Sequence, residues 1–184
     1  MTSFTEQELQ YGDLVMRLKR LDEDASLIDH SEHRFHLVIV GGGALILQKF
    51  VERATSDIDA LYVSPILMEL LQKYDINTHV NAYIDSFPYN FEDRLKKLPI
   101  DGKKVDFFAA SLEDVVIAKL HSNRDKDMQD IQLNTVLQNI DWNTLEKLAL
   151  TESESQASSF SSSRHDEFLH TYHGYVQEFK PCDS

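Results

Sequence analysis

Cysteine is nearly absent: Cys182 is the only one in 184 residues. No internal disulfide is therefore possible, and a reducing interior suits the chain. Basic residues are scarce as well, with 18 Lys and Arg against 31 Asp and Glu, a net charge of −13 and a pI near 4.9. That balance excludes a general basic face able to grip a long duplex by counterion release, although a local basic cluster for an RNA end is compatible with it. No apolar run approaches the roughly 18 residues of a membrane span, and no secretory leader pattern is visible, so a soluble cytoplasmic protein is expected. Glycine is sparse too, yet three of the six are consecutive, at 41–43.

What is present is enough for one core. A hydrophobic content of 42% over 184 residues suffices for a single domain with a small helical extension. Leu9, Leu14, Val15, Leu18 and Leu21 recur at helical spacing and predict an amphipathic helix over 6–28. Strands are expected at 36–40, 58–63, 80–84 and 104–108, and helices at 44–52, 65–74 and 91–98. Ser111 and Asp114 have the form of a capping box opening a helix that carries Lys119. Helices are then expected at 126–138 and, capped by Asp141, to about residue 150.

Residues 151–163 are rich in serine and break all periodicity, which reads as a linker. Beyond it a last helix over 165–179 places Phe168, Leu169, Tyr172, Tyr175, Val176 and Phe179 on an apolar side. The expected organisation is thus a domain over 1–150, a linker over 151–163 and a C-terminal helix within 164–184. Strands alternating with helices and then giving way to helices argue for an α/β (α+β) fold, a small mixed sheet flanked by helices with C-terminal helical additions.

The chemistry concentrates in two stretches, Val38-Ile39-Val40-Gly41-Gly42-Gly43-Ala44-Leu45 and Arg53-Ala54-Thr55-Ser56-Asp57-Ile58-Asp59-Ala60-Leu61. Glycines between a strand and a helix let backbone N–H groups approach a polyphosphate, at a helix end that favours negative charge. Asp57 and Asp59, two apart on a strand, point the same way and suit a hard cation such as Mg²⁺. Either feature alone has an ordinary explanation, a tight turn or a solvated strand face; in this order they support each other.

With these residues in place, the chain resembles the nucleotidyltransferase superfamily of the minimal polymerase-β-like fold. Val40-Gly41-Gly42-Gly43 and Asp57-Ile58-Asp59-Ala60 match its apolar-Gly-Gly and Asp-apolar-Asp-apolar pattern. The likeness is closer to small bacterial nucleotidyltransferases of the abortive-infection and toxin–antitoxin type. There Arg-x-Thr-x-Asp-apolar-Asp, here beginning at Arg53, precedes a distal lysine, here Lys119, and an Arg-x-x-Asp-x-x-Asp stretch, here Arg124, Asp127 and Asp130. The likeness covers about residues 36–131.

The resemblance implies that Gly41, Gly42 and Gly43, with Arg53, Thr55, Ser56, Arg124, Asp127 and Asp130, bind a nucleoside triphosphate, and that Asp57 and Asp59 hold Mg²⁺ or Mn²⁺. It implies that Lys119 reaches the triphosphate, with Asp127 or Asp130 as its partner or as a site carboxylate. A snorkelling lysine at a core edge is the plain alternative for Lys119, dipole complementation for the aspartates, and pairing with Glu52 or Asp57 for Arg53. Many superfamily members add a third aspartate from a neighbouring strand. Asp106 is the expected candidate, with Asp85 behind it; in another register Asn81 takes that place and makes a poor base.

The expected activity is transfer of a nucleoside monophosphate from a triphosphate to an acceptor hydroxyl on an RNA end, a protein or a small molecule. A cognate partner protein and a toxin–antitoxin or phage-defence setting follow from the same likeness. The alternative is a nucleotide-binding or partner-binding protein that keeps the fold with little catalysis. His30, His33 and His36, and His165, His170 and His173, come without cysteines and do not make a zinc site.

Overall fold

The structure, a computed structural model, describes residues 9–61, 63–80, 84–152 and 162–182. It divides into two compact units, residues 1–80 with 95–110, and residues 81–94 with 111–184.

The first unit holds a five-stranded sheet. Its strands are β1 (Phe35–Val40), β2 (Ile58–Leu61), β3 (Ile76–Asn77), β4 (Lys96–Lys97) and β5 (Val105–Ala109) in the order β3-β2-β1-β5-β4. β1 runs antiparallel to β2 and parallel to β5, β2 is parallel to β3, and β4 is antiparallel to β5. The sheet is therefore mixed; the parallel pair β2 and β3 is joined through the helix at Met68–Lys73, as a parallel pair needs a crossover. Helix α1 (Tyr11–Ile28) buries Leu14, Leu18, Leu21 and Ala25, its i, i+4, i+7 and i+11 stripe. α1 packs on α2 (Gly41–Leu47) and on α3 (Met68–Lys73), which follows a 3₁₀ turn at Pro65–Leu67.

Polar anchoring fixes α1 to the start of β5. Asp22, buried on the apolar side of α1, accepts the backbone N–H of Lys103, Lys104 and Val105, each at 2.7 Å. Three charge-assisted bonds satisfy the carboxylate that burial would otherwise penalise. A β-carbon on Gly102 would lie 2.1 Å from Val105 O, so only glycine fits beside this clasp.

Several boundaries differ from the sequence expectation. α2 starts at the glycines and stops at Leu47, not over 44–52. Its end is a Schellman turn: Lys49 takes φ +63°, with Lys49 N–H donating to Ile46 O and Phe50 N–H to Leu45 O, both at 2.9 Å. The strand next to β2 lies at Ile76–Asn77, where Asp75 at φ +52° turns the chain out of α3. The strand expected over 80–84 falls largely on residues 81–83, outside the described residues. The helix expected over 91–98 is a 3₁₀ turn at Phe91–Arg94 followed by β4, because Leu98 N–H pairs with Phe107 O at 2.9 Å and sheet pairing overrides local propensity.

The second unit is helical in the described residues: α4 (Leu112–Ser122), α5 (Asp125–Ile131), α6 (Asn134–Leu137), α7 (Trp142–Lys147) with a π turn at Leu148–Glu152, and α8 (Ser162–Phe179). Ser111 caps α4 as its sequence suggests, accepting Asp114 N–H at 3.2 Å. Asp114 is fully buried and is held by Arg94 Nη2 at 2.8 Å and by the Ser111 hydroxyl at 2.6 Å. The helix expected over 126–138 is broken at Gln132 and Leu133. α8 packs on α4 through its aromatic side: Phe168, Tyr172 and Tyr175 are buried, Phe168 stacks on His121 with centroids 3.9 Å apart, and Tyr175 O–H donates to Ile131 O at 2.6 Å. Most of the expected linker, residues 153–161, lies outside the described residues.

Candidate active site

The antiparallel ladder joins the two halves of the motif. Val40, the last residue of β1, pairs with Asp59 of β2. The turn after Val40 therefore starts beside the Asp59 side chain. Gly41 leaves the strand at φ +63°, and a β-carbon on it would stand 3.2 Å from Asp59 Oδ2. Glycine is favoured there by the backbone conformation, and a side chain would also crowd the Asp59 carboxylate. A β-carbon on Gly42 would be 3.2 Å from Arg53 Nη2 and 3.7 Å from Thr55 Oγ1. Gly43 faces away: it is buried, and its β-carbon would meet Ile39 Cγ2 at 3.4 Å. Two of the three glycines thus border the aspartate strand and the third serves the core.

Asp57 sits just ahead of β2, exposed, with Oδ1 at 3.4 Å from both the Thr55 and Ser56 hydroxyls. Thr55 is buried and fixed by a reciprocal backbone bridge to Leu9, with N···O distances of 2.7 and 2.9 Å. Arg53 Nη1 donates to Ala54 O at 2.8 Å, which holds the guanidinium along the turn before β2. Gly41, Gly42, Arg53, Thr55, Ser56, Asp57 and Asp59 therefore share one corner of the first unit.

Asp59 has a partner that sequence reasoning missed. Asn77 of β3 is in register with it, and Asn77 Nδ2 donates to Asp59 Oδ1 at 2.8 Å. The other end of the same amide is fixed too, since Asn77 Oδ1 accepts the His79 N–H at 3.0 Å. The strand carrying Asn77 is two residues long, too short for any periodicity to announce it. The signal that exists is the αL turn at Asp75 followed by an apolar residue.

Asp106 is not brought to Asp59. On β5 it pairs with His36, four residues back along β1 from Val40, about 13 Å at strand rise. There Arg34 grips it with Nε and Nη2, each at 2.8 Å, and Lys97 Nζ lies 3.0 Å away. Arg34 also donates to Lys103 O at 2.7 Å and Gly102 O at 2.9 Å, tying β1 to the turn before β5. The Arg34 hydrogen bonds, then Lys97, outweigh desolvation and hold the Asp106 carboxyl well below the usual carboxylate range. These contacts form a clamp, in a register away from Asp59. Asp85 belongs to the second unit, and Asn81 lies outside the described residues.

Lys119, Arg124, Asp127 and Asp130 bind one another in the second unit. Lys119 Nζ, buried, donates to Asp127 Oδ1 at 2.5 Å and to Asp130 Oδ2 at 2.9 Å. Asp127 Oδ2 accepts from the Ser122 hydroxyl at 2.6 Å and from Arg124 Nε at 2.7 Å. Burial alone would raise the Asp127 carboxyl, but Lys119, Ser122 and Arg124 together lower it below its ordinary value. In this arrangement the two aspartates are the partners of Lys119.

The oxygen donors at the glycine corner suit a hard cation. Among the described residues no three His, Cys, Asp or Glu side chains are grouped to hold a metal; the carboxylates at this corner are Asp57 and Asp59. Mg²⁺ is commonly held in this way, by one or two carboxylates with phosphate oxygens and water completing the octahedron. The two carboxylates fit an open cation site of this kind, not a closed one made by protein ligands alone.

Among the described residues no helix is long and apolar enough to cross a membrane. No curated protein and no solved structure matches the chain. A family model does, over residues 16–180, and its description is "Nucleotidyltransferase of unknown function (DUF6036)". The match spans nearly the whole chain, including the glycine turn, both aspartates and α8, and the mixed sheet flanked by helices is compatible with a nucleotidyltransferase core; the chain therefore belongs to this family of nucleotidyltransferases.

Proposed function

We propose that the protein is a metal-dependent nucleotidyltransferase that moves a nucleoside monophosphate from a triphosphate to an acceptor hydroxyl. The observation that carries this reading is the placement of the glycine turn beside Asp59: Val40 pairs with Asp59, and a β-carbon on Gly41 would stand 3.2 Å from its Oδ2. Gly41 and Gly42 give a polyphosphate close access to backbone N–H groups, and Arg53 beside Gly42 offsets its charge. Asp57 and Asp59 would hold Mg²⁺ or Mn²⁺ at the same corner, and the cation would supply charge neutralisation for the phosphates. The acceptor oxygen attacks the α-phosphorus, the bond to the α–β bridging oxygen breaks, pyrophosphate leaves, and the acceptor proton passes to water.

Calorimetry with ATP, GTP, CTP and UTP, with and without Mg²⁺, tests the reading without knowledge of the acceptor. Mg²⁺-dependent binding of at least one triphosphate, abolished in Asp57→Asn/Asp59→Asn, is the expected result. A folded wild type that binds none of them overturns it.

Asn77 beside Asp59 favours a second reading, a nucleotide-binding or partner-binding protein with weak catalysis, because an amide is no base. The closer likeness to abortive-infection and toxin–antitoxin enzymes supports a cytoplasmic toxin or phage-defence component with a cognate partner. Growth arrest on expression that disappears in Asp59→Asn favours toxic catalysis; arrest that survives the change counts against it.

A further inference from the structure

Asp59 does not present two equivalent oxygens. Oδ1 accepts the Asn77 amide at 2.8 Å, while Oδ2 is the oxygen on the Gly41 side, 3.2 Å from where a β-carbon there would stand. Asn77 is itself immobilised at both ends of its amide, by Asp59 and by the His79 N–H at 3.0 Å. It is also the residue that the β2–β3 ladder places directly beside Asp59. An acid at that position would put a second carboxylate next to Asp59 and make a two-cation cluster feasible; an amide supplies a hydrogen-bond donor instead.

We propose that Asn77 is a positioning residue that fixes the Asp59 carboxylate with Oδ2 toward the glycine turn, and that it makes this corner a one-cation site. The inference rests on the nucleotidyltransferase reading of the corner. Two consequences follow from the chemistry. A neutral amide beside Asp59 leaves too little negative charge for a second divalent ion, since such pairs are bridged by shared carboxylates. An N–H donor to a ligating carboxylate holds its orientation, as hydrogen-bonded outer partners do at metal sites generally. The β3 position then abstracts no proton from the acceptor, which leaves that proton to water or to the acceptor's own surroundings.

The test uses Mn²⁺ alone, followed by its electron paramagnetic resonance, on wild type, Asn77→Ala and Asn77→Asp, each shown folded by its thermal transition. It is paired with the NMR resonances of the Asn77 side-chain amide in wild type and in Asp59→Ala. Wild type is expected to bind one Mn²⁺ per chain, Asn77→Ala to bind it about tenfold more weakly, and Asn77→Asp to bind it more tightly or to take up a second ion. One Asn77 amide proton should exchange slowly in wild type and lose that protection in Asp59→Ala. An Asn77→Asp protein that binds Mn²⁺ no better than wild type overturns the proposal, as does an amide indifferent to Asp59→Ala or an Asn77→Ala protein with wild-type affinity. Failure of the underlying reading looks different. If wild type binds no Mn²⁺ while Asn77→Asp does and the amide responds to Asp59→Ala, the native corner is no cation site, but the place of Asn77 beside Asp59 stands.

Discussion

Gly41 and Asp59 are matched at atomic contact: the absent β-carbon of Gly41 would lie 3.2 Å from Asp59 Oδ2, on a backbone held at φ +63°. An alanine there meets both penalties, about 1–2 kcal/mol for a left-handed L-residue and displacement of the carboxylate. Gly42→Ala presses only on the end of the Arg53 side chain, which can move. Gly41→Ala should therefore lower stability by about 1–2 kcal/mol and abolish triphosphate binding. Gly42→Ala should keep the fold and weaken binding. Denaturant titration beside calorimetry separates the two, and equal effects from both substitutions would count against the contact as the reason for the glycine.

Lys119 is shared by two buried carboxylates, so its removal should be felt first in stability. Replacing it with methionine removes the cation that Asp127 and Asp130 share, while Ser122 and Arg124 still hold Asp127, a loss of up to about 3–5 kcal/mol at neutral pH. The sign of the pH dependence follows from Asp127, whose carboxyl is held below its ordinary value in the folded protein. The stability this contributes is fully present above the ordinary carboxylate value of 3.8 and is lost only as pH falls below it, through the depressed folded value. The deficit of Lys119→Met relative to wild type should thus persist to about pH 4 and shrink only below it. Adding Asp127→Asn and Asp130→Asn to Lys119→Met should recover part of the loss at pH 7. A Lys119→Met protein as stable as wild type would show that the network is not what retains the lysine.

Much of this was legible before the structure, and the reasons are local. The α1 stripe, the Val38–Val40 strand, the Ser111 cap and the aromatic side of α8 each span enough residues for periodicity or capping chemistry to speak. The glycine turn and the Asp57–Asp59 pair were legible because each residue type has a narrow physical use. Asn77 was not, because a two-residue strand has no period and its place is set by the ladder to Asp59. Asp106 misled for the same reason: Lys104-Val105-Asp106-Phe107-Phe108 reads as a strand with a carboxylate, but only register says which end of β1 it reaches. Lys119 was visible as an anomaly within an apolar run, whereas its two partners depend on how α5 meets α4.

His121, stacked on Phe168, is expected to give α8 a pH-dependent hold on α4. Burial, then the charges of Arg164 and His165, push its imidazole down to about 4, while its ring lies flat on Phe168. The unfolded chain binds a proton near pH 6.5 and the folded one does not until about 4, so stability is full above 6.5 and is lost on acidification between the two. The loss by pH 5 is at most about 2 kcal/mol. Chemical denaturation at pH 7 and pH 5 should show wild type losing more than His121→Gln over that interval. An identical loss in both would mean that the imidazole stays neutral for neither reason.

Asp106 supplies the sharpest separation of fold from chemistry, since it was the expected third carboxylate and the structure places it in a clamp with Arg34 and Lys97. Asp106→Asn keeps the shape but removes the charge that Arg34 grips, so β1 loses part of its tie to the turn before β5. Stability should fall at pH 7. Because the folded carboxyl lies far below the ordinary value, that deficit should persist through mildly acidic pH and vanish only when the carboxylate itself is protonated. Nucleotide binding, measured by calorimetry under conditions where the variant is folded, should match wild type, because about 13 Å of strand separates its register from that of Asp59. A variant of unchanged stability that has lost Mg²⁺-dependent binding would return Asp106 to the active site and require β5 to sit differently against β1.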